Sequence, residues 1–282
     1  MTQPQAPSSS SEARPEPGPE HRPHLSVTRP RDGVVLVTLD NPDQRNAMSD
    51  EMTASWVDCV DELVDDPEVR AVVITGAGTA FSSGGDLSWL ASEPEAGVDR
   101  LRSRMLPFYR SWLQVRRLEV PVVAAINGPA IGAGLCFALA CDLRFAARGA
   151  KMGVPFTQLG LHPGMAGTYL LTEAVGAAVA RDLFLTGRII EGDEALRLGL
   201  VSRVIEPERF LDEALDAAAA IAAAAPIATK LTKQALRDGG HGDFEHALQW
   251  EAMAQPITLA TADLQEGIAA AQQKRRPVFE GR

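Results

Sequence analysis

The sequence has few aromatic residues: nine Phe, four Trp and two Tyr among 282 residues. Hydrophobic residues still make up 45% of the chain, so the core must consist chiefly of Ala, Val, Leu and Ile. Charged residues make up 23%, a share that is typical of globular proteins. We therefore expect an ordinary soluble globular protein with one large domain, or one domain and an appendage.

Cysteine is also scarce. The chain has three cysteines, Cys59, Cys136 and Cys141, and none lies in a C-x-x-C or Cys/His spacing. Such spacings mark metal sites, so we expect no metal ligands. An odd number of cysteines in apolar surroundings is typical of a reducing compartment. The cysteine pattern therefore predicts a cytoplasmic protein.

Positive charge and long apolar runs are lacking as well. The formal net charge is −10, whereas a nucleic-acid partner would require clustered cations. No apolar run approaches the roughly 18 residues of a membrane span. The first residues, MTQPQAPSSSSEARPEPG, contain no apolar signal region. We therefore expect a protein that binds neither nucleic acid nor a membrane.

The amino-terminal residues differ in composition from the rest. Six prolines and four consecutive serines lie before residue 24, with almost no large apolar side chain. Such a segment buries too little surface to offset the entropy of ordering it. We expect a disordered tail over residues 1–24, a core over residues 25–206 and a helical region over residues 207–282.

The core sequence predicts a repeated strand–strand–helix order. Residues 25–28 and 34–39 are typical of paired strands around a turn at Gly33. A helix is predicted to start at Ser49, which is a good N-cap, with Met52 and Trp56 on its buried face. Residues 69–75 follow as a buried strand. From residue 207 the pattern is helical and rich in alanine, over 211–225, 227–237 and 244–273.

Two strands in the core are each followed by glycines and then by a helix. Residues 120–126 lead into NGPAIGAG, and residues 72–75 lead by a glycine-rich turn into AFSSGGDL. A chain that turns from a strand into a helix leaves N–H groups free at the start of the helix. Two such turns directed at one point are predicted to hold an oxyanion between two N–H groups.

The two turns and several further motifs resemble the crotonase (enoyl-CoA hydratase/isomerase) superfamily. LDNPDQRNAM, FSSGGDL, NGPAIGAG, LGLHPGMAGT, LTGRIIEGDEALRLGLVSRVI and EGIAAAQQKRRPVF follow each other in the family's order over residues 25–279. The resemblance implies an α/β fold, a crotonase-like ββα spiral with a C-terminal helical region that builds trimers. It also implies an acyl-CoA thioester as substrate, with coenzyme A as part of it and no separate cofactor.

The resemblance implies roles for particular residues. The two oxyanion N–H groups correspond to Gly85 and Ala133, and glycine suits the first because a carbonyl must approach the backbone closely. The backbone that surrounds the adenine corresponds to Ala80, Phe81, Ser82 and Ser83. The arginine near the phosphates corresponds to Arg45, and the lysine that reaches a neighbour's nucleotide corresponds to Lys274.

The acids of the family are absent from this sequence. The two glutamates that activate water in hydratases correspond to Cys136 and Phe156. Isomerases keep a glutamate at position 156, and the dienoyl type has an aspartate where this chain has Gly164. Phenylalanine neither carries a proton nor binds water, so we expect that ordinary two-glutamate hydration does not occur.

Three titratable residues lie in the stretches expected to form the pocket, 81–90, 128–137 and 152–167. Cys136 is in the first turn of a helix, where the dipole favours a thiolate, but a buried cysteine is usually inert packing. His162 is a candidate for proton transfer, because an unperturbed histidine side chain has a pKa of about 6.5, or it orients its loop by a backbone hydrogen bond. Asp86 is expected to cap the short helix that follows it.

Two rival motifs fit less well. GAG after a strand is similar to a dinucleotide fingerprint, but Phe137 stands where the third glycine belongs. GLCFA is similar to a nucleophile elbow but lacks its final glycine. We therefore predict an acyl-CoA enzyme that stabilises a thioester enolate with unusual proton-transfer residues, as a homotrimer or a dimer of trimers. The alternative is a catalytically silent acyl-CoA binding protein.

Overall fold

The structure is a computed structural model that describes residues 20–237 and 242–282. The strands of this part of the chain are β1 Glu20–Arg22, β2 Leu25–Arg31, β3 Val34–Leu39, β4 Ala71–Gly76, β5 Val122–Ile126, β6 Ala130–Ile131, β7 Leu143–Ala147, β8 Lys151–Gly153, β9 Ile190–Glu191 and β10 Arg203–Ile205. Its helices are α1 Asp50–Asp65, α2 Leu87–Leu90, α3 Val98–Leu113, α4 Ala133–Leu139, α5 Gly167–Thr186, α6 Gly192–Arg197, α7 Phe210–Ala222, α8 Pro226–Leu236, α9 Phe244–Leu259 and α10 Ala262–Gln273.

The larger sheet places the two predicted turns side by side. Its strand order is β1-β2-β3-β4-β5-β7-β10, antiparallel from β1 to β3 and parallel from β3 onward. Parallel neighbours need crossover connections, which α1, α3 and α4 supply. The carboxyl ends of β4 and β5 therefore meet at one edge of the sheet, so that the turns that follow them are adjacent. A smaller sheet has the strand order β6-β8-β9, and along the chain β7 of the larger sheet comes between β6 and β8.

The described part of the chain includes a strand before Leu25, within the predicted tail. Strand β1 pairs antiparallel with β2, and Glu20 lies opposite Val27. The side chain of Arg22 makes an ion pair with Glu62 of α1, and the Ser55 hydroxyl donates a hydrogen bond to the Pro23 carbonyl at 2.8 Å. The prediction of disorder is therefore wrong for residues 20–22, because polar contacts compensate for the lack of apolar side chains. Residues 1–19 lie outside the described part.

Helix α1 confirms its prediction closely. The Ser49 hydroxyl accepts a hydrogen bond from the Met52 N–H at 3.2 Å, as an N-cap does. Trp56 on the buried face stacks on Trp112 with ring centroids 5.8 Å apart, and it meets Phe137 edge to face at 5.1 Å. Three aromatic residues, Trp56, Trp112 and Phe137, thus pack together where α1, α3 and α4 meet.

The carboxyl-terminal helices differ from the prediction in their breaks. The predicted helix over 244–273 is two helices, because Thr261 caps α10 by accepting from the Leu264 N–H at 3.2 Å. Helix α7 packs on the sheet and buries Phe210, Ala214 and Leu215 in the common core. The hydrophobic core therefore continues across residue 206, where the sequence pattern changes. The domain boundary at this residue stays a prediction.

No single helix in the described residues is both long enough and apolar enough to cross a membrane. Residues Pro207–Ala222 and Pro226–Leu236 satisfy the criterion only when they are counted together, and the two helices are bent by 108° at the break between them.

Candidate active site

The two glycine turns are joined by backbone hydrogen bonds. The N–H groups of Phe81 and Ser82 both donate to the Pro129 carbonyl at 3.1 Å, and the Ile131 N–H donates to the Ser82 carbonyl at 3.0 Å. Gly134 lies so close to this turn that a Cβ on it would be 2.5 Å from the Ser82 oxygen. The segments after β4 and β5 therefore form one unit.

The close approach between the turns occurs at Gly84. Its φ is +91°, and a Cβ there would lie 2.6 Å from the Ile131 oxygen and 3.1 Å from the Ala133 nitrogen. A Cβ on Gly85 would meet only the Leu90 side chain, at 3.8 Å. Sequence reasoning assigned the need for glycine to Gly85, whereas the backbone requires it one residue earlier.

The N–H groups of Gly85 and Ala133 are free to bind a ligand. Ala133 is the first residue of α4, after Gly132 with φ of 57°, so its N–H has no acceptor within the helix. Across residues 20–237 and 242–282, neither N–H donates a hydrogen bond. Both residues line the same cavity, whose volume is 760 Å³. That these two N–H groups converge on one oxygen stays a prediction.

Most of the cavity wall is apolar. Its large apolar side chains come from α2, α3, β6 and the loop before α5: Leu87, Leu90, Leu101, Met105, Phe108, Ile131, Phe156, Leu159, Leu161 and Met165. Its titratable lining residues, within the described chain, are Asp86, Tyr109 and His162. A wall of this kind suits an acyl chain, with a few polar groups to orient it.

Cys136 is fully buried and is not one of the residues that line this cavity. Burial raises the pKa of its thiol to about 12. A Cβ placed on Gly167 would be 2.7 Å from its sulfur, so the thiol fills the contact between α4 and α5. The expectation that the helix dipole favours a thiolate is wrong here, because desolvation of the charged form outweighs it.

We expect Cys136 to be inert towards thiol reagents. At pH 8 iodoacetamide should leave the folded protein unlabelled, because burial also raises the pKa of Cys59 and Cys141 to about 12. Cys136→Ser should retain turnover within about threefold while lowering stability by roughly 1 kcal/mol. Mass spectrometry after labelling of folded and urea-unfolded protein checks the first point. Rapid labelling of Cys136 in the folded protein would contradict the packing role.

Phe156 occupies the cavity wall where the resemblance places a glutamate. Its ring is 3.8 Å from the position of a Cβ on Gly132, next to the Ala133 N–H. Phe156 therefore adds apolar surface close to one of the two free N–H groups. With Cys136 buried elsewhere, neither position of the two glutamates presents a group that transfers protons.

His162 combines both of the features weighed for it. The ring Nδ1 lies 2.8 Å from the Pro163 carbonyl oxygen, and the exposed ring also lines the cavity. A carbonyl only accepts, so this contact requires the proton on Nδ1 in the neutral ring. Nε2 is then left with a lone pair, which is the form in which histidine acts as a base.

Asp86 is confirmed as a helix cap. Its carboxylate accepts hydrogen bonds from the N–H groups of Ser88 at 2.7 Å and Trp89 at 3.1 Å, at the start of α2. The hydrogen bond from the Ser88 hydroxyl, followed by that from the Trp89 N–H, lowers the pKa of Asp86. The group therefore stays ionised and engaged, and it is poorly suited to exchange protons near neutral pH.

The segment predicted to surround the adenine is mostly buried. Ala80, Phe81 and Ser82 have almost no exposure, and only Ser83 lines the cavity. The N–H of Ser83 donates to the Arg45 carbonyl at 2.9 Å, and the carbonyls of Ala80 and Ser82 already accept hydrogen bonds from the Asn46 side chain and the Ile131 N–H. Contact with an adenine stays a prediction.

The two predicted cationic contacts fare differently. Arg45 has an exposed side chain beside Ser83, and its guanidinium makes no ion pair with any described residue. Lys274 ends α10 with φ of 54° and does not line the cavity. Five residues further on, the Phe279 carbonyl accepts from Arg70 at the amino end of β4, the far end from Gly85. A contact of Lys274 with a neighbouring subunit's nucleotide stays a prediction.

Sequence reasoning missed Tyr109, which lies in α3 and lines the cavity. The stretches expected to form the pocket, 81–90, 128–137 and 152–167, do not include this helix. A signal was present, because Met105, Tyr109 and Trp112 follow the i, i+4, i+7 spacing of an inward face.

The chain is similar to known proteins of one family over most of its length. The family model described as enoyl-CoA hydratase/isomerase matches residues 29–282. A short-chain-enoyl-CoA hydratase of Clostridium acetobutylicum is 36% identical over 86% of this chain and 92% of its own length. An (E)-benzylidenesuccinyl-CoA hydratase of Thauera aromatica is 37% identical over 88% of this chain and 96% of its own. The crystal structure of an enoyl-CoA hydratase from Bacillus anthracis superimposes with a TM-score of 0.86, at 33% identity, covering 92% of this chain and 100% of that one.

Fold and site together define a crotonase-fold enzyme that acts on acyl-CoA thioesters. The chain belongs to the enoyl-CoA hydratase/isomerase family. The relatives described above are named as hydratases, which favours an enzyme over the silent binding protein.

Proposed function

We propose that the N–H groups of Gly85 and Ala133 bind the thioester carbonyl oxygen of an acyl-CoA and stabilise the enolate that forms when a proton leaves the α-carbon. The observation that carries this proposal is that both N–H groups lack acceptors and line one cavity. Backbone donors that are already fixed where negative charge develops need no reorganisation during the reaction.

The proton is proposed to move through His162. Of the titratable residues on the cavity wall, Asp86 is engaged as a cap, and Tyr109 is a donor at neutral pH. The Nε2 of His162 is the remaining lone pair that suits a base, since Nδ1 is directed to the Pro163 carbonyl. The proton that leaves the α-carbon would be carried on this nitrogen until it is returned or exchanged with water.

The acyl chain and the nucleotide are proposed to occupy opposite ends of the site. The apolar wall from α2, α3 and Phe156 suits the acyl chain. Ser83 lines the cavity, and its N–H donates to the backbone carbonyl of Arg45, whose exposed guanidinium suits the phosphates of coenzyme A. Coenzyme A is then part of the substrate, and the proposed chemistry requires no further cofactor.

Exchange of the α-protons of butyryl-CoA in D₂O tests the proposal. An enzyme that forms the enolate should incorporate deuterium at the α-carbon, as measured by mass spectrometry of the recovered thioester. A protein that binds butyryl-CoA in calorimetry and exchanges nothing would contradict the proposal and would revive the silent binding protein.

Hydration of crotonyl-CoA is expected to be weak, because Cys136 and Phe156 stand at the positions of both glutamates. General acid–base catalysis contributes about 10²–10⁴-fold, so turnover should fall below that of two-glutamate hydratases by at least such a factor. Loss of absorbance of the enoyl thioester measures the rate. Turnover equal to that of an ordinary hydratase on crotonyl-CoA would show that other groups activate water here.

The chain is also proposed to assemble as a trimer or a dimer of trimers. Helix α9 exposes large apolar side chains, with Phe244 81% and Met253 75% exposed. Burying such side chains between subunits is favourable. In a closed ring every subunit buries the same surface. Sedimentation at micromolar concentration should give three or six times the 30.1 kDa of one chain. A species of 30.1 kDa would contradict this assembly.

A further inference from the structure

Tyr109 is a polar group in the cavity that the proposed chemistry leaves unused. It lies on α3 and packs beside Phe108, with ring centroids 6.2 Å apart. Its ring is half-buried against the core, and the residue lines the same cavity as Gly85 and Ala133. The hydroxyl is therefore within the site in which the acyl chain is proposed to bind.

The position of the Tyr109 hydroxyl depends on the absence of a side chain at Gly164. A Cβ on Gly164 would lie 2.5 Å from the Tyr109 oxygen and 2.9 Å from its Cζ. Such distances are far below van der Waals contact, so no other residue at 164 leaves the ring where it is. The Tyr109 side chain thus occupies the space that a side chain at position 164 would fill.

The hydroxyl has no hydrogen-bond partner among residues 20–237 and 242–282. Burial, together with the nearby Cys136, raises the pKa of Tyr109, so that the group is a neutral O–H donor at physiological pH. The residues beside it on the wall, including Phe108, Phe156 and Met105, offer apolar surface.

A donor in these surroundings distinguishes between acyl chains. A plain hydrocarbon chain displaces water from the hydroxyl and offers no acceptor in return, which carries a desolvation penalty. A chain that carries an oxygen restores the hydrogen bond. The Tyr109 hydroxyl is thus neutral or unfavourable for the binding of a plain hydrocarbon chain and favourable for the binding of a chain that carries an oxygen.

We propose that Tyr109 is a specificity-determining residue whose hydroxyl donates a hydrogen bond to an oxygen on the acyl chain, so that the site selects oxygenated acyl groups over plain hydrocarbon chains. The acceptor is a hydroxyl, oxo or carboxyl oxygen beyond the α-carbon. This inference rests on the proposed function, because it requires the acyl chain to occupy this cavity.

The test is a binding cycle with three ligands and three proteins. Calorimetry gives the dissociation constants of butyryl-CoA, 3-hydroxybutyryl-CoA and 4-hydroxybutyryl-CoA for the wild-type protein, for Tyr109→Phe and for Tyr169→Phe. Tyr169 is the other tyrosine of the chain; it is 52% exposed on α5 and does not line the cavity, so its variant is the matched control.

The wild type and Tyr169→Phe should bind at least one hydroxylated ligand about five- to tenfold more tightly than butyryl-CoA. Tyr109→Phe should lose this preference while binding butyryl-CoA equally well or more tightly. If Tyr109→Phe binds butyryl-CoA normally and keeps the wild-type preference, or if the wild type shows no preference, the role of Tyr109 is overturned and the acyl-CoA site is not. If the wild type binds none of the three ligands, the proposed function fails and this inference fails with it.

Discussion

Replacing Ala133 by proline is expected to lower the rate of α-proton exchange by about 10²–10³-fold, which is the effect of removing one donor from an oxyanion site. Proline has no N–H, so the substitution removes the donor itself. Ala133 is the first residue of α4, a position at which helices accept proline readily because its N–H has no partner in the helix. The fold should therefore survive, with the Cys136 N–H still donating to the Gly132 carbonyl at 3.1 Å.

The matched control for this variant is Ala133→Gly, which keeps the N–H and removes only a methyl group. It should exchange protons within a few-fold of the wild-type rate. Circular dichroism and thermal melting of both variants show whether the fold is retained. Wild-type exchange by a folded Ala133→Pro would refute the role of this N–H, whereas equal losses in both variants would indicate that the methyl group or the helix start matters instead.

Replacing His162 by alanine is expected to lower α-proton exchange by about 10²–10⁴-fold, the range for loss of a general base. Binding of acyl-CoA should change little, because the exposed ring lies on the cavity wall without supporting the core. The loss should therefore fall on the rate at saturating substrate and not on the dissociation constant. Deuterium incorporation and calorimetry measure the two quantities separately.

His21→Ala is the control for this second variant. His21 is exposed on the edge strand β1, which β2 and β3 separate from β4, and its replacement should have no effect on exchange. A His162→Ala protein that exchanges at the wild-type rate would remove histidine from the mechanism. The base would then have to come from another lining residue, since the buried Cys136 thiol has its pKa raised to about 12.

The two glycine turns and helix α1 could be predicted because their signals are local. Strand, glycines and helix follow one another within some fifteen residues around Gly85 and around Ala133, and local sequence largely decides such turns. The capping role of Asp86 was predictable for the same reason. An aspartate just before a helix commonly accepts hydrogen bonds from the N–H groups two and three residues later.

Other features depend on contacts between distant residues, which the sequence pattern does not reveal. The inertness of Cys136 follows from its packing against Gly167, thirty-one positions later in the chain. The place of the Tyr109 hydroxyl follows from the empty space at Gly164. Strand β1 was missed because its partners, including Glu62 on α1, compensate for a segment that has little apolar surface.

The most direct test of the central claim is a crystal structure with bound butyryl-CoA. The account predicts that the thioester carbonyl oxygen lies about 2.7–3.1 Å from both the Gly85 and the Ala133 nitrogens, with the acyl chain against Phe156. A thioester oxygen that contacts neither nitrogen, or two N–H groups that diverge so that no single oxygen reaches both, would contradict it.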